Sequence, residues 1–306
     1  MTHTAATPRV DDLVARIAQS NPLTVKMLDA AVAGLSLEER DEFESYLAYM
    51  VSQGHDLGFV TDAYNTILRD TLREQIYFKR NRRYRYARYD EVAASVYMND
   101  DYMSRYMVGL AVTSYLWPNH LAIHRFFRDV LRHAPAGDYL EIGPGHGMFF
   151  MAAARSGKFS KCLGVDLSPT SVALTKSLMG SGYFGRFQNY ELRQADFLAA
   201  PLPRAAFDAI VMGEVLEHVE QPALFMARIR ELAAPGAFVF ITTAINAPAV
   251  DHIYLFDTPD AVRALVRKAG FAIKAELVAP YVGMTLEETL AQKLPINIAL
   301  QLEPTP

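Results

Sequence analysis

One nine-residue segment restricts what this chain can fold into more than any other: Tyr139-Leu-Glu-Ile-Gly-Pro-Gly-His-Gly147. It reads as a strand carrying an acidic residue, Glu141, near its end. A glycine-rich turn follows, and GMFFMAAARSG then reads as a helix. Glycines let the backbone turn sharply and let a ligand approach with no Cβ in the way. The spacing is GxGxG, not the GxGxxG of a dinucleotide fingerprint. A pyrophosphate would not be placed beside Glu141, whereas a cationic ligand would. Alone, the loop is also what a plain strand-to-helix turn looks like, so its surroundings decide.

From Asp138 onward those surroundings alternate strand and helix. KCLGVD is a second strand and PTSVALTKSLMG a helix; Tyr190 to Gln194 is a weak third strand. FDAIVM is a fourth strand, followed by a helix over about 221–232, and AFVFITT is a fifth. DTPDAVRALVRKAG is a helix, FAIKAELVA a sixth strand and PINIALQLE a seventh. This alternation predicts a mostly parallel sheet with helices on both faces, and ligands beyond the carboxyl ends of its strands. Residues 9 to 134 read differently. Leu13, Ile17, Val25, Leu28 and Val32 form a stripe at helical spacing, and Ser36 with Glu39 is a capping box. The expected division is a helical layer over 1–117 and a sheet domain over 118–306.

Composition removes several classes. The net charge of −4 provides no basic field to attract nucleic acid. A lone cysteine, Cys162, excludes an intrachain disulfide and a thiolate zinc cluster. The segment MTHTAATPRVDD lacks the apolar region of a secretory leader, and no stretch approaches the roughly 18 apolar residues of a membrane span. A soluble cytoplasmic protein, with neither membrane nor nucleic acid as a partner, is expected.

Three further strand ends carry chemistry. Asp166 closes the second strand in GVDLSP, where a carboxylate can accept both hydroxyls of a ribose. Ala195-Asp196-Phe197 follows the third, where Asp can take an adenine amino group and Phe can stack on the ring. Met212-Gly-Glu-Val-Leu-Glu-His-Val219 follows the fourth. With LEIGPGHG, GVDLS, ADF, GEVLEHV and AAPGAFVFITT in this order, the chain resembles the class I S-adenosylmethionine-dependent methyltransferases over about residues 120–306. The resemblance implies a Rossmann-like α/β fold: a seven-stranded, mostly parallel sheet in the order 3-2-1-4-5-7-6, the seventh strand antiparallel, here with a helical N-terminal layer. It also implies S-adenosyl-L-methionine as cofactor. Glu141, Gly143, Gly145 and Gly147 would then shape the methionine and sulfonium end. Asp166, with Leu167 beside it, would hold the ribose, and Asp196 with Phe197 the adenine. Gly213 and Glu214 would lie near the amino acid end.

A sulfonium is an activated leaving group, so the enzyme has to align a nucleophile and exclude water. A base is needed only if the nucleophile is protonated. No Asn/Asp-Pro-Pro-aromatic motif follows the fourth strand and no Pro-Cys nucleophile is present, which disfavours nucleic-acid bases as acceptors. EVLEHV is typical of small-molecule enzymes in the family. Similar EVxEH sequences bind magnesium in some ubiquinone and small-RNA 2′-O-methyltransferases. Glu214, Glu217 and His218, with His252 or Asp251, are the corresponding residues here; no metal is assigned, and a hydrogen-bonding Glu217–His218 pair at the pocket floor is preferred. The loop from Thr242 to Phe256 should overhang the reactive carbon with Asn246, Asp251, His252 and Tyr254. The candidate catalytic residues are therefore Glu214, His218, Asn246, His252 and Tyr254.

Eight of the sixteen tyrosines lie between residues 77 and 115, and KRNRRYRYAR at 79–88 is strongly basic. Two readings stand for the tyrosines: a half-buried helical layer, or a lid whose aromatic faces stabilise a cation. The basic run reads as a solvated face or as a contact for an acidic substrate or carrier. Three functions follow. The first is a methyltransferase acting on a small molecule in specialised metabolism. The second, on a resemblance of the helical half, the TTAINAPAVDHIYLF loop and the LPINIAL terminus, is an azetidine-2-carboxylate synthase, which cyclises S-adenosylmethionine and releases methylthioadenosine. The third is a non-catalytic binding protein. A homodimer is compatible with all three.

Overall fold

The computed structural model describes residues 9–306. The reading of the N-terminus as leaderless falls mainly on residues 1–8, outside the described residues. Helices fill the first part: α1 (Arg9–Ser20), α2 (Val25–Ala33), α3 (Leu37–Ser52), α4 (Leu57–Asn81), α5 (Tyr89–Ala93), α6 (Asp100–Leu116) and α7 (Pro118–Leu131). Side chains at their starts explain several boundaries. Ser36 and Glu39 form the expected capping box on α3, and Asp56 and Asn99 cap α4 and α6. Pro118 opens α7 at a position where a missing N–H costs nothing.

Strands and helices then alternate: β1 (Gly137–Ile142), α8 (Met148–Arg155), β2 (Phe159–Asp166), α9 (Pro169–Gly180), β3 (Tyr190–Gln194), β4 (Phe207–Gly213), α10 (Pro222–Leu232), β5 (Ala233–Ile245), α11 (Pro259–Lys268), β6 (Phe271–Ala279), α12 (Leu286–Gln292) and β7 (Ile296–Pro304). The sheet order is β3-β2-β1-β4-β5-β7-β6. β7 runs antiparallel to both β5 and β6, and the other pairs are parallel. The expected seven-stranded topology is observed. Helix α12 was absent from the sequence reading.

Alternation along the strands sorts side chains into two cores. Tyr139, Val211 and Phe240 face one side, where they meet Phe127 of α7, Phe150 of α8 and the apolar faces of α1, α3, α4 and α6. Leu140, Ile210 and Ile241 face the other, against Met226 and Ile229 of α10 and Val262 of α11. A third cluster joins Ile67, Val92, Val96, Met103, Tyr106 and Met107 of the helical layer to Val250 and Ile253, in the loop after β5. That third cluster carries the helical layer over the carboxyl ends of the strands. Among the described residues, no helix is long and apolar enough to cross a membrane.

Candidate active site

The chain order reverses between β1 and β4, which opens a crevice at their carboxyl ends. The glycine loop lines one side. Gly143 N–H donates to Val165 O and Gly147 N–H to Pro144 O, both at 2.8 Å. Gly143 has φ +66°, and a Cβ there would lie 2.7 Å from Val215 Cγ2. Gly145 has φ +56°, with Met107 Sδ of α6 3.3 Å from where its Cβ would be. Only glycine fits this turn without strain, and the helical layer already touches it.

Asp166 ties the loop to β2. Its Oδ2 accepts from Gly145 N–H at 3.2 Å and its Oδ1 from Ser168 N–H at 2.8 Å. Burial nevertheless pushes its carboxyl up to about 6. Glu141 is turned away from the loop: its carboxylate accepts from the Tyr139 hydroxyl, two residues back on the same strand face. It is 2 % exposed, and burial pushes it up to about 8. The expectation that Glu141 offers a negative charge to a cation therefore meets a carboxyl that burial keeps largely protonated at neutral pH.

On the nucleoside side, Asp196 is exposed and accepts from Leu198 N–H. Tyr89, which starts α5, brings its ring close enough for the charges of Asp166 and Asp196 to help raise its hydroxyl, after burial. That hydroxyl is buried and has no hydrogen-bond partner. Phe197 departs from expectation. It packs against Phe225 in the core on the far face of the sheet and is only 4 % exposed, so it has little free ring face for adenine. Leu167 is 40 % exposed beside Asp166.

The end of β4 carries the densest chemistry. A Cβ on Gly213 would meet Phe149 at 2.6 Å. Glu214 has φ +51°, a left-handed conformation that a non-glycine residue adopts at a cost and that concentrates at functional sites. Thr242 holds it there by accepting from its N–H, through O at 3.1 Å and Oγ1 at 2.9 Å. Its Oε2 accepts from Asn297 Nδ2 at 3.2 Å, and its buried Oε1 has no partner. Glu217 is fully buried, accepts from Thr243 Oγ1 at 2.8 Å and from Ala244 N–H at 3.3 Å, and is pushed well up by burial and then by the charge of Glu214. Burial raises Glu214 as well, and the two carboxyls act on each other, with Glu217 holding its proton the more tightly.

A polar roof closes over these groups. Asp251, 2 % exposed, accepts from Tyr106 at Oδ1 (3.1 Å) and from Tyr97 at Oδ2 (3.2 Å). His218 Nδ1 lies 3.1 Å from both Asp251 O and the Tyr97 hydroxyl. His252 Nδ1 lies 2.5 Å from Ala247 O, and burial pushes this imidazole down to about 3. Tyr84 rests edge-on against His252, with ring centroids 5.8 Å apart. One ligand atom each from Glu217, His218 and His252 fall within 4.8 Å of one another, a donor set that a divalent cation can use.

Of the candidate catalytic residues, Glu214, His218 and His252 meet at one place. Asn246 does not serve there: its amide donates to Asp257 O and its N–H to Phe256 O, so it fastens the loop after β5. Tyr254 is 38 % exposed and its ring packs on Phe256, while its N–H donates to Glu217 O at 2.9 Å. The sequence reading missed Asn119, whose Nδ2 donates to Asn297 Oδ1 at 2.6 Å and so extends the chain from Glu214. It also missed His120, His124 and His146 beside the glycine loop. The i, i+4 spacing of His120 and His124 was the available signal.

The family model described as a methyltransferase domain matches residues 119–276, just over half of the chain. The Nitrosospira multiformis protein named ubiquinone biosynthesis O-methyltransferase is 30 % identical over 188 residues, covering 54 % of this chain and 76 % of the relative. A Pseudoalteromonas translucida protein of the same name is 28 % identical over 186 residues, covering 54 % and 75 %. Among solved structures, a chain of the Haloferax volcanii complex between the Trm112 methyltransferase activator and a methyltransferase aligns with a TM-score of 0.51 at 12 % identity, covering 67 % of this chain and 96 % of that one.

Proposed function

This chain belongs to the class I S-adenosylmethionine-dependent methyltransferase family, and from that membership we propose that it methylates a small molecule of specialised metabolism inside a site roofed by its own tyrosines. The donor set fits the cofactor. A glycine cradle that a Cβ would fill, the strand-end carboxylate of Asp166, and two orphaned buried atoms, Glu214 Oε1 and the Tyr89 hydroxyl, await partners that the chain does not supply. Bound there, S-adenosylmethionine supplies a methyl group on a sulfonium.

The chain's own residues do the rest. Asp166 accepts from ribose hydroxyls, and Tyr89 closes the nucleoside side. Tyr84, Tyr97 and Tyr106 exclude water and present aromatic faces to positive charge. Glu214 is the proton acceptor, through its unpartnered oxygen, when the nucleophile carries a proton. That free, buried oxygen on a left-handed backbone is the observation that carries the reading. The tyrosines of the roof, Tyr84, Tyr97 and Tyr106, lie outside the matched region 119–276, which supports an acceptor of this chain's own and not one shared with the ubiquinone-biosynthesis relatives.

One observation favours a second reading. The place where an acceptor would enter, beyond β4 and β5, is occupied by the bonded set Tyr97, Tyr106, His218 and Asp251. An intramolecular reaction needs no acceptor space. S-adenosylmethionine is then the substrate: its amino nitrogen bonds to its own γ-carbon, the bond from that carbon to sulfur breaks, methylthioadenosine leaves, and the nitrogen gives a proton to Glu214. Mass spectrometry of the nucleoside product separates the two. With a pool of small-molecule acceptors, methyl transfer yields S-adenosylhomocysteine. Methylthioadenosine released from S-adenosylmethionine alone would replace methyl transfer by cyclisation.

A further inference from the structure

One face of α4 and the corner after it take no part in the chemistry above. The inner face supports the roof. Ile67 shares the third cluster with Val250 and Ile253, Asp70 accepts from the Tyr102 hydroxyl at 2.5 Å, and Phe78 meets Tyr84 with ring centroids 5.7 Å apart. The outer face is bare. Leu72 and Ile76, one turn apart, are 59 % and 46 % exposed. Arg69 and Arg73 stand beside them, and Lys79, Arg80, Arg82 and Arg83 follow, all exposed.

Eight cations and two acids lie between Arg69 and Arg88, in a chain whose net charge is −4. Both acids are turned inward: Asp70 accepts from Tyr102, and Glu74 is 2 % exposed. Arg73, Arg85 and Arg88 are ion-paired, but among the described residues Lys79, Arg80, Arg82 and Arg83 are not. Like charges crowded at this spacing repel one another, so folding alone does not favour the arrangement.

The corner is also fixed. Arg82 closes α4 at φ +56°, and its N–H donates to Phe78 O at 2.8 Å. Arg85 folds back: its Nε donates to Glu74 Oε2 at 3.0 Å, and its guanidinium lies 4.3 Å from the centre of the Tyr77 ring. The backbone under Arg82 and Arg83 has thus already lost the freedom that binding would otherwise cost.

An apolar pair set among cations has the centre and rim of a helix-on-helix contact. From Arg69 to Arg80 the face is about 17 Å long, three turns of helix. Its charge requires an acidic occupant. A second copy related by a twofold axis would set cation against cation. A bilayer is gripped by outward aromatic side chains, and here Tyr84 is buried against His252, with Tyr86 and Tyr89 packed on the third cluster. The same inward turn leaves no aromatic platform for single-stranded nucleic acid.

We propose that the outer face of α4 and the corner at 82–83 dock an acidic amphipathic helix of a partner protein. Two apolar side chains of that helix cover Leu72 and Ile76, and its carboxylates meet Lys79, Arg80 and Arg83. The partner then sits over the roof, since Phe78 and Tyr84 lie on the other side of the same segment. This docking is independent of the reaction assigned to the site.

The probe is a fluorescent synthetic helix of about 14 residues, with leucines at i and i+4 and glutamates around them. Anisotropy measures its affinity for the full chain at about 50 and about 200 mM salt. Saturable binding is expected, several-fold weaker at the higher salt. Changing the probe's leucines to serine, at equal charge, should weaken it by at least about tenfold, and Ile76→Ser should weaken the leucine probe in the same direction. Lys79→Glu, Arg80→Glu and Arg83→Glu, made together, should cost about tenfold or more, with an unchanged melting temperature. No binding of the leucine probe would overturn the proposal. A serine probe that binds equally well would do so too, since the surface would then attract any anion; that comparison needs no variant. Tighter binding to phosphatidylserine–phosphatidylcholine vesicles or to a short DNA duplex, lost in the charge-reversed variant, would assign the face to a membrane or a nucleic acid instead. Self-association lost in that variant would assign it to a second copy.

Discussion

Glu141 and Asp166 end adjacent strands, and burial raises both, yet they do different work. Asp166 keeps two backbone donors and faces the crevice, whereas Glu141 is turned back onto Tyr139. Asp166→Ala should weaken S-adenosylhomocysteine and methylthioadenosine alike, by about 10- to 100-fold in a binding titration, since both carry the ribose. Glu141 is neutral in the folded protein up to about pH 8 but ionises near its ordinary value when unfolded. Its contribution is thus fully present at low pH and is lost as pH rises through that window, by up to about 1.4 kcal/mol per pH unit. Glu141→Gln should melt higher than the parent above pH 8 in thermal scans of the free protein, and the gap should close as pH falls toward the ordinary glutamate range. Asp166 is legible in the sequence because a carboxylate that closes a strand must point into the crevice. Phe197 misleads because adjacency to Asp196 does not say which side of the sheet a ring takes. The approach of His124 to His146 is invisible there, since it depends on how α7 packs against the loop.

At the scale of elements, strands were easier to read than contacts. Short apolar runs alternating with helical segments place the strands, β3 only weakly, and the order follows from family resemblance. Helical periodicity in residues 9–134 shows which faces are apolar but not what they cover. Tyr97 and Tyr106 find Asp251 about 150 residues away, beyond any local pattern. That bond set latches α6 and the segment before it to the loop after β5. Tyr106→Phe and Asp251→Asn, made singly and together, should show a coupling of about 1 kcal/mol in urea unfolding, as directly bonded partners do. Helix α12 escapes notice because its seven residues have too few apolar positions to show a period. The cluster of Glu217, His218 and His252 also belongs at this scale. Glu217 holds a proton and already accepts from Thr243 and Ala244, so removing divalent cations with a chelator should leave S-adenosylhomocysteine affinity unchanged. A loss restored by Mg²⁺ would assign the three a cation.

Across the whole molecule, the helical layer and the sheet share a core. Leu13, Phe43, Tyr64 and Leu116 pack in one cluster with Phe127, Phe150 and Phe240. A cut between residues 117 and 118 would expose that cluster on both sides. The intact chain should unfold in one transition by both circular dichroism and Trp117 fluorescence, and residues 118–306 alone should aggregate. The sequence shows the change in pattern between residues 134 and 138, but not that the layer doubles as roof and as half of a core, because a change of pattern marks a boundary without saying what crosses it. The layer's closure over the cofactor is tested most directly by hydrogen–deuterium exchange with and without S-adenosylhomocysteine. Slower exchange is expected in residues 84–106 together with the loops at 143–147 and 166–168. Protection confined to the two loops, with 84–106 unchanged, would contradict a site roofed by the tyrosine layer.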